Sequence, residues 1–228
     1  NNVTTLETAD GIRLIQYPSP NWIFVALNTR TRFFDSVDER RAISLAVDRK
    51  AIVDGIMGGR NPVGRGTVTP VHLSFDSTAA SLAVPHDPDS ARVLLARAGW
   101  RDRNGDGVLE DANGRKFEIR LKAWQSSGAY TDILQAMQAQ LAKVGIAVIA
   151  DVLELNTFSQ QMQGTVGKDG TRTRDFDAAI GNWTDNVRKD DSQLFHSRWR
   201  DGARFRPGLP YAVDPTPGEA PPGARFAP

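Results

Sequence analysis

The sequence predicts an α/β lobe, a mixed β-sheet flanked by helices, and three observations carry that prediction. Residues 117–124 alternate, with Phe117, Ile119, Leu121 and Ala123 on one side and Glu118, Arg120, Lys122 and Trp124 on the other. A helical face follows over about 127–144 (Ile133, Leu134, Met137, Leu141, Val144), ended by Gly145, and then a β-branched run at 146–152. Strand, helix and strand with short connections make a βαβ unit, hence parallel. A second buried strand, 176–180, comes after a short helix near 156–162 and a polar loop at 164–174. Two crossovers thus feed one sheet, and ligands gather at the carboxyl ends of such strands.

The earlier elements are punctuated by caps. Two apolar runs lie between Gly11 and Asn28, separated by Pro18 and Pro20. They could pair with each other, or the second, 22–27, could enter the main sheet alone. Ser36 and Glu39 have capping-box spacing ahead of Ala42, Ile43, Leu45 and Ala46. Asp48 is placed to cap a second short helix that buries Ile52, Val53 and Ile56 and stops at Gly58-Gly59. Residues 60–86 read as irregular. Asp87-Pro88 opens a further helix with Ala91, Leu94, Leu95 and Ala98 inward, Gly99 as its stop and Trp100 folded back on its last turn. The lobe is expected over 1–199. The tail, 200–228, holds seven Pro and four Gly without a periodic apolar face, and reads as irregular.

Composition narrows the function classes. With 228 residues and 40% hydrophobic content, the chain can build a substantial core. Charges nearly balance, 28 basic against 27 acidic, and no basic stripe with interleaved aromatics appears, so no nucleic-acid partner is expected. The absence of Cys excludes disulfides and thiolate chemistry and is compatible with any compartment. Asn1 is not an initiator Met, so the start is expected to be processed or truncated and a lost export signal stays open.

The candidate site lies where the strand at 176–180 runs into a turn carrying Asn182, Trp183 and Asp185. An aromatic wall beside a carboxylate, mounted on a strand end, suits a ligand with an apolar body and a positive end. The competing reading makes Trp183 a core residue and Asp185 a cap for the next segment. Trp124 ends the other strand and could line the same pocket edge.

Other constellations fail or stay weak. The segment 59–66 lacks the Lys and Ser/Thr of a phosphate loop. His72, His86 and His196 have no metal-pair spacing, no nucleophile elbow exists, and no catalytic residue or cofactor is expected. Asp102, Asn104 and Asp106 with Gly107 match the first half of a calcium loop, but its twelfth position is Asn113 and Glu110 is off-register; an Asx-rich turn without metal is the preferred reading.

The order of elements resembles the family 5 extracellular solute-binding proteins, the oligopeptide-, dipeptide- and nickel-binding components of ABC importers. The stretch DERRAISLAVDR at 38–49 resembles "VRQALNYAIDR", Asn28-Thr29 the "FNT" before it, and DPDSARVLLARAGW at 87–100 "DPEKAKALLAEAGW". NGDGV at 104–108 is similar to "DGDGI", QAQLAKVGI at 138–146 to "IQAQLKKIGI", and FDAA at 176–179 with Trp183 to "FDAALXGW". The resemblance implies the second lobe of a periplasmic-binding-protein-like fold, non-catalytic, whose first lobe lies outside this chain. It implies a small peptide or other small solute as ligand, ABC importer membrane subunits as partners, and a periplasmic or extracellular setting, lipid-anchored in the full-length protein. Trp183 takes the family's cleft-lining role, with Asp185, Trp124 and Asn182 beside it. Peptide binders carry their Asp three residues after the Trp, and Asp185 comes after two. Dipeptide binders carry an Arg after the strand ending at Trp124, and 125–128 has none, so a dipeptide clamped at both ends is not expected. The alternative is a stand-alone interaction module, a homodimer among its forms, that uses the exposed cleft face for a protein partner.

Overall fold

The computed structural model describes residues 2–15, 17, 19–125, 128–168 and 172–184. In chain order the elements are α1 (Asn2–Glu7), β1 (Asn21–Leu27), α2 (Val37–Ala46), α3 (Arg49–Ile56), α4 (Ser77–Ser81), α5 (Pro88–Arg97), β2 (Glu118–Trp124), α6 (Ala129–Ala142), β3 (Ala147–Leu153), α7 (Leu155–Gln163), β4 (Thr165–Val166), β5 (Arg172–Thr173) and β6 (Ala178–Thr184). The main sheet has the order β1-β6-β2-β3. β2 is parallel to β3 and to β6, while β1 is antiparallel to β6, so the sheet is mixed. β4 and β5 form a separate two-stranded ladder within the loop at 164–174.

The sheet's two faces are unequal. Alternation sends Ile119, Leu121, Ala123, Ala178 and Ile180 into the main core, where α2, α3, α5 and α6 supply Ala42, Ile43, Ile52, Leu95, Leu134 and Leu141. Among the described residues, the opposite face is covered by α7, whose Phe158 and Met162 pack on Phe176 and Ala179, with Trp124 and Leu153 at the edge. The amide of Gln140 joins the layers: its Oε1 accepts from Asp48 N at 2.8 Å, fixing α6 against the break between α2 and α3.

The caps form as their residue types require. Ser36 Oγ accepts from Glu39 N at 3.4 Å, and Glu39 Oε2 accepts from Ser36 N at 3.2 Å. Asp48 caps α3 through Ala51 N, and Asp87 caps α5 through Ser90 N. Trp100 N donates to Leu95 O at 3.0 Å, which folds the indole onto the last turn of α5. A side chain at Gly145, φ 83, would be strained and would have to displace Leu109, since a Cβ there would stand 2.7 Å from Leu109 Cγ.

One open alternative is decided and two expectations need correction. The first apolar run is not a strand: residues 12–15 are irregular, and Ile12, Leu14, Ile15 and Tyr17 are exposed. β1 enters the sheet alone, pairing with β6 over its full length, and Pro18 and Pro20 interrupt the chain before it. The last strand is longer than 176–180 and shifted. It spans Ala178–Thr184, because β1 offers partners as far as Thr184, so Asn182 and Trp183 lie in the strand and not in a turn. The irregular stretch at 60–86 contains α4, capped by Asp76 through Thr78 N at 2.8 Å. The tail at 200–228 and Asp185 lie outside the described residues.

Candidate solute-binding face

β6 owes its position to the residues that precede it. Asp177 Oδ2 accepts from Arg120 N at 2.8 Å, stitching the entry of β6 to the backbone of β2. Asn28 N donates to Asp177 O at 2.8 Å, and Asn28 Nδ2 donates to Phe176 O at 2.9 Å, tying the exit of β1 to the same point. Arg120 Nη1 lies 2.7 Å from Asp175 Oδ1. Lys122, only 1% exposed, reaches Asp151 at 3.2 Å and Asp175 at 3.6 Å and donates to Gln161 Oε1 on α7. A buried ammonium is tolerated only with such compensation. These contacts commit both cations on this face of β2 to carboxylates of the same chain.

The other end of β6 carries the aromatics. Trp183 is the Cα partner of Trp22, and Gly181 of Phe24, so the strand pleat puts Trp22, Phe24 and Trp183 on the face that α7 covers lower down. All three are half-buried. The Trp22 and Phe24 rings stand 5.2 Å apart, tilted by 51°. Gly181 admits Phe24: a Cβ there would come within 2.9 Å of Phe24 Cζ. Beyond the tryptophan pair, Thr184 Oγ1 donates to Asn21 Oδ1 at 2.6 Å, so the chain enters β1 and leaves β6 side by side at this end.

The residues expected from the sequence separate. Trp183 stands at the carboxyl end of β6. Trp124 ends β2 at the same end of the sheet, but its ring is 4.6 Å from that of Tyr130 and 5.4 Å from that of Phe158, which holds it between the two cores. Asn182 alternates to the opposite face, across from Ile23. The sequence reading missed Trp22 and Phe24. Their signal was the alternation of Trp22, Phe24 and Ala26, which becomes informative only once the antiparallel register with Gly181 and Trp183 is known.

The half-covered sheet thus leaves an aromatic shelf at the end where β1 begins and β6 ends. The chain belongs to the bacterial extracellular solute-binding proteins, family 5, whose middle region matches residues 1–203. That is a family of binding proteins, not enzymes. The oligopeptide-binding protein AppA of Bacillus subtilis is 28% identical over 207 residues, 91% of this chain and 36% of its own length. A probable D,D-dipeptide-binding periplasmic protein of Escherichia coli is 27% identical over 210 residues, 92% of this chain and 35% of its own. The structure of Bacillus subtilis AppA in complex with a nonapeptide superposes with a TM-score of 0.76 at 27% identity, covering 87% of this chain and 38% of that one. The chain therefore spans about a third of the length of these relatives. Among the described residues, no helix is long and apolar enough to cross a membrane.

Proposed function

We propose that this chain supplies one wall of the solute cleft of an ABC-importer binding protein, that the solute is a peptide, and that Trp183 with Trp22 is the surface it meets. The observation that carries the proposal is the cross-strand Trp22–Trp183 pair, half-buried and outside the α7 cluster, where β1 and β6 run side by side. The sequence similarity to an oligopeptide-binding protein, over nine-tenths of this chain, supports a peptide over other solutes. Two indoles on a rigid sheet end bury apolar side chains at little conformational cost. Arg120 and Lys122 are engaged with Asp175, Asp177 and Asp151, so this face offers aromatic area in preference to terminal charge recognition. That favours a longer peptide over a dipeptide held at both ends. Trp124 stands at the same end of the sheet, packed between the two cores, and Asn182 faces away from the shelf; Asp185, outside the described residues, is proposed as a further ligand contact. A second lobe would close over the shelf, and ABC importer membrane subunits would receive the solute, in a periplasmic or extracellular protein that is lipid-anchored at full length.

One lobe makes only part of the contacts, so its own affinity for peptide is expected to be weaker than about 1 μM. The test is intrinsic tryptophan fluorescence during titration with a mixed peptide library, comparing the wild-type chain with Trp183→Phe and Trp22→Phe. A saturable change that either variant loses supports the shelf. No change at millimolar peptide, or a change that both variants retain, overturns it.

A further inference from the structure

The turn between α5 and β2 holds a group of carboxylates far from the solute shelf. Asp102, Asp106 and Glu110 each offer one carboxylate oxygen, and the three oxygens lie within 4.8 Å of one another. Asp102 and Asp106 are exposed, whereas Glu110 is 3% exposed. Glu110 Oε2 accepts from Arg103 N at 2.8 Å, and its Oε1 has no hydrogen-bond partner. An orphaned, buried carboxylate oxygen is costly, and its presence beside two more carboxylates asks for a cation. The site is also rigidly mounted. Glu110 exchanges backbone hydrogen bonds with Arg101, at 3.0 and 2.7 Å. Asp102 accepts from Gly105 N and Gly107 N, which curls the turn around its first carboxylate.

We propose that Asp102, Asp106 and Glu110 form a binding site for a hard divalent cation of the calcium class. The donors are all oxygen, which selects calcium or magnesium over zinc. Calcium accepts an irregular oxygen shell supplied by a turn, whereas magnesium demands a near-ideal octahedron and gives up its waters reluctantly, so calcium is the better match. The helix–loop–helix calcium template asks for a carboxylate at the twelfth position, where this chain has Asn113. Here the turn runs into a β-bridge instead, and the bridge carries Glu110, the ninth residue, back over Asp102. Lys116 Nζ lies 2.7 Å from Asp106 Oδ2 and is the ion's competitor for that carboxylate. The turn precedes β2, so it lies at the sheet end opposite Trp183. Cation binding therefore stabilises the lobe without touching the shelf, and it stands or falls independently of the solute reading.

The test is calorimetric titration of the chelator-stripped 228-residue chain with calcium chloride, with thermal unfolding alongside. One saturable site with a dissociation constant on the order of 10⁻⁴ to 10⁻³ M is expected, with a higher unfolding temperature in calcium and a smaller response to magnesium. Glu110→Gln and Asp106→Asn each weaken binding about tenfold or more. Asp106 is exposed, so its variant keeps the test open should Glu110→Gln fail to fold. Lys116→Gln tightens binding, because the ammonium no longer competes. No saturable heat at millimolar calcium, an equal response to magnesium, undiminished binding in Asp106→Asn, or weaker binding in Lys116→Gln each overturns the assignment.

Discussion

Trp100 and Trp183 stand at opposite ends of the same sheet and show how one residue type serves two purposes. Trp100 is 4% exposed. Its ring centroid lies 4.3 Å from that of Phe117 and 6.1 Å from that of Phe33, and its Nε1 donates to Glu39 Oε1 at 2.7 Å. Every side of that indole is used inside the fold. Trp183 has Trp22 across the strand pair and remains half-buried. At the amino end of β2, Phe33, Phe34 and Trp100 close over Phe117. At the carboxyl end of β6 no helix among the described residues does so. The same apolar surface is structural where it is covered and available where it is not.

The sharpest way to break that contrast is truncation. Phe117→Ala removes the ring on which Phe33, Phe34 and Trp100 converge, and is expected to cost about 3–5 kcal/mol. Trp183→Ala, losing a half-exposed ring, should cost much less while abolishing any peptide-dependent fluorescence change. Urea unfolding of both variants checks this. Equal losses would make Trp183 a core residue and remove the basis for the shelf.

A smaller effect is expected at Gly181. Its new Cβ in Gly181→Val would meet the Phe24 ring at 2.9 Å, so the ring must lift from the sheet. Overpacking of this kind costs about 1–3 kcal/mol. It also displaces Phe24 from beside Trp22, so peptide binding should weaken in the same variant. Full stability in Gly181→Val would mean that Phe24 moves freely and that the shelf is not preorganised.

The contrast also separates what the sequence discloses from what it hides. Local chemistry was legible: Ser36 with Glu39, Asp48, and Asp87 with Pro88 announce helices because their side chains satisfy amides three residues away. The βαβ order around α6 was legible because the period changes from two to 3.6 and back. Pairing between distant strands was not. Nothing near Trp22 says that it faces Trp183, and the length of β6 depends on β1, more than 150 residues earlier. Asp177 illustrates the same limit. The sequence reading placed it inside the strand at 176–180 with no role of its own, yet it accepts from the β2 backbone. Glu110 was set aside because a template counted positions, whereas the β-bridge with Arg101 decides where that side chain goes.

The smallest expected effect tests the closed end through pH. Burial raises the Glu39 carboxyl above its ordinary value, against the hydrogen bonds from Trp100 and Ser36 that favour its charge. A carboxyl whose folded pKa is raised binds its proton more tightly in the folded chain. Its contribution is therefore fully present below the unfolded pKa, about 4.3, and is lost as pH rises through the folded pKa. Asp38, Asp87 and Asp106, whose carboxyls are held below their ordinary values by Arg97, Ser90 and Lys116, work in the opposite sense and lose stability as pH falls. These are common to wild type and Glu39→Gln and cancel in the difference. The stability of Glu39→Gln relative to wild type should accordingly improve between about pH 4 and pH 7, measured by urea unfolding at each pH. A flat difference would mean that the Trp100 and Ser36 hydrogen bonds fully offset burial, and that the amino end tolerates a charge as readily as the open end would.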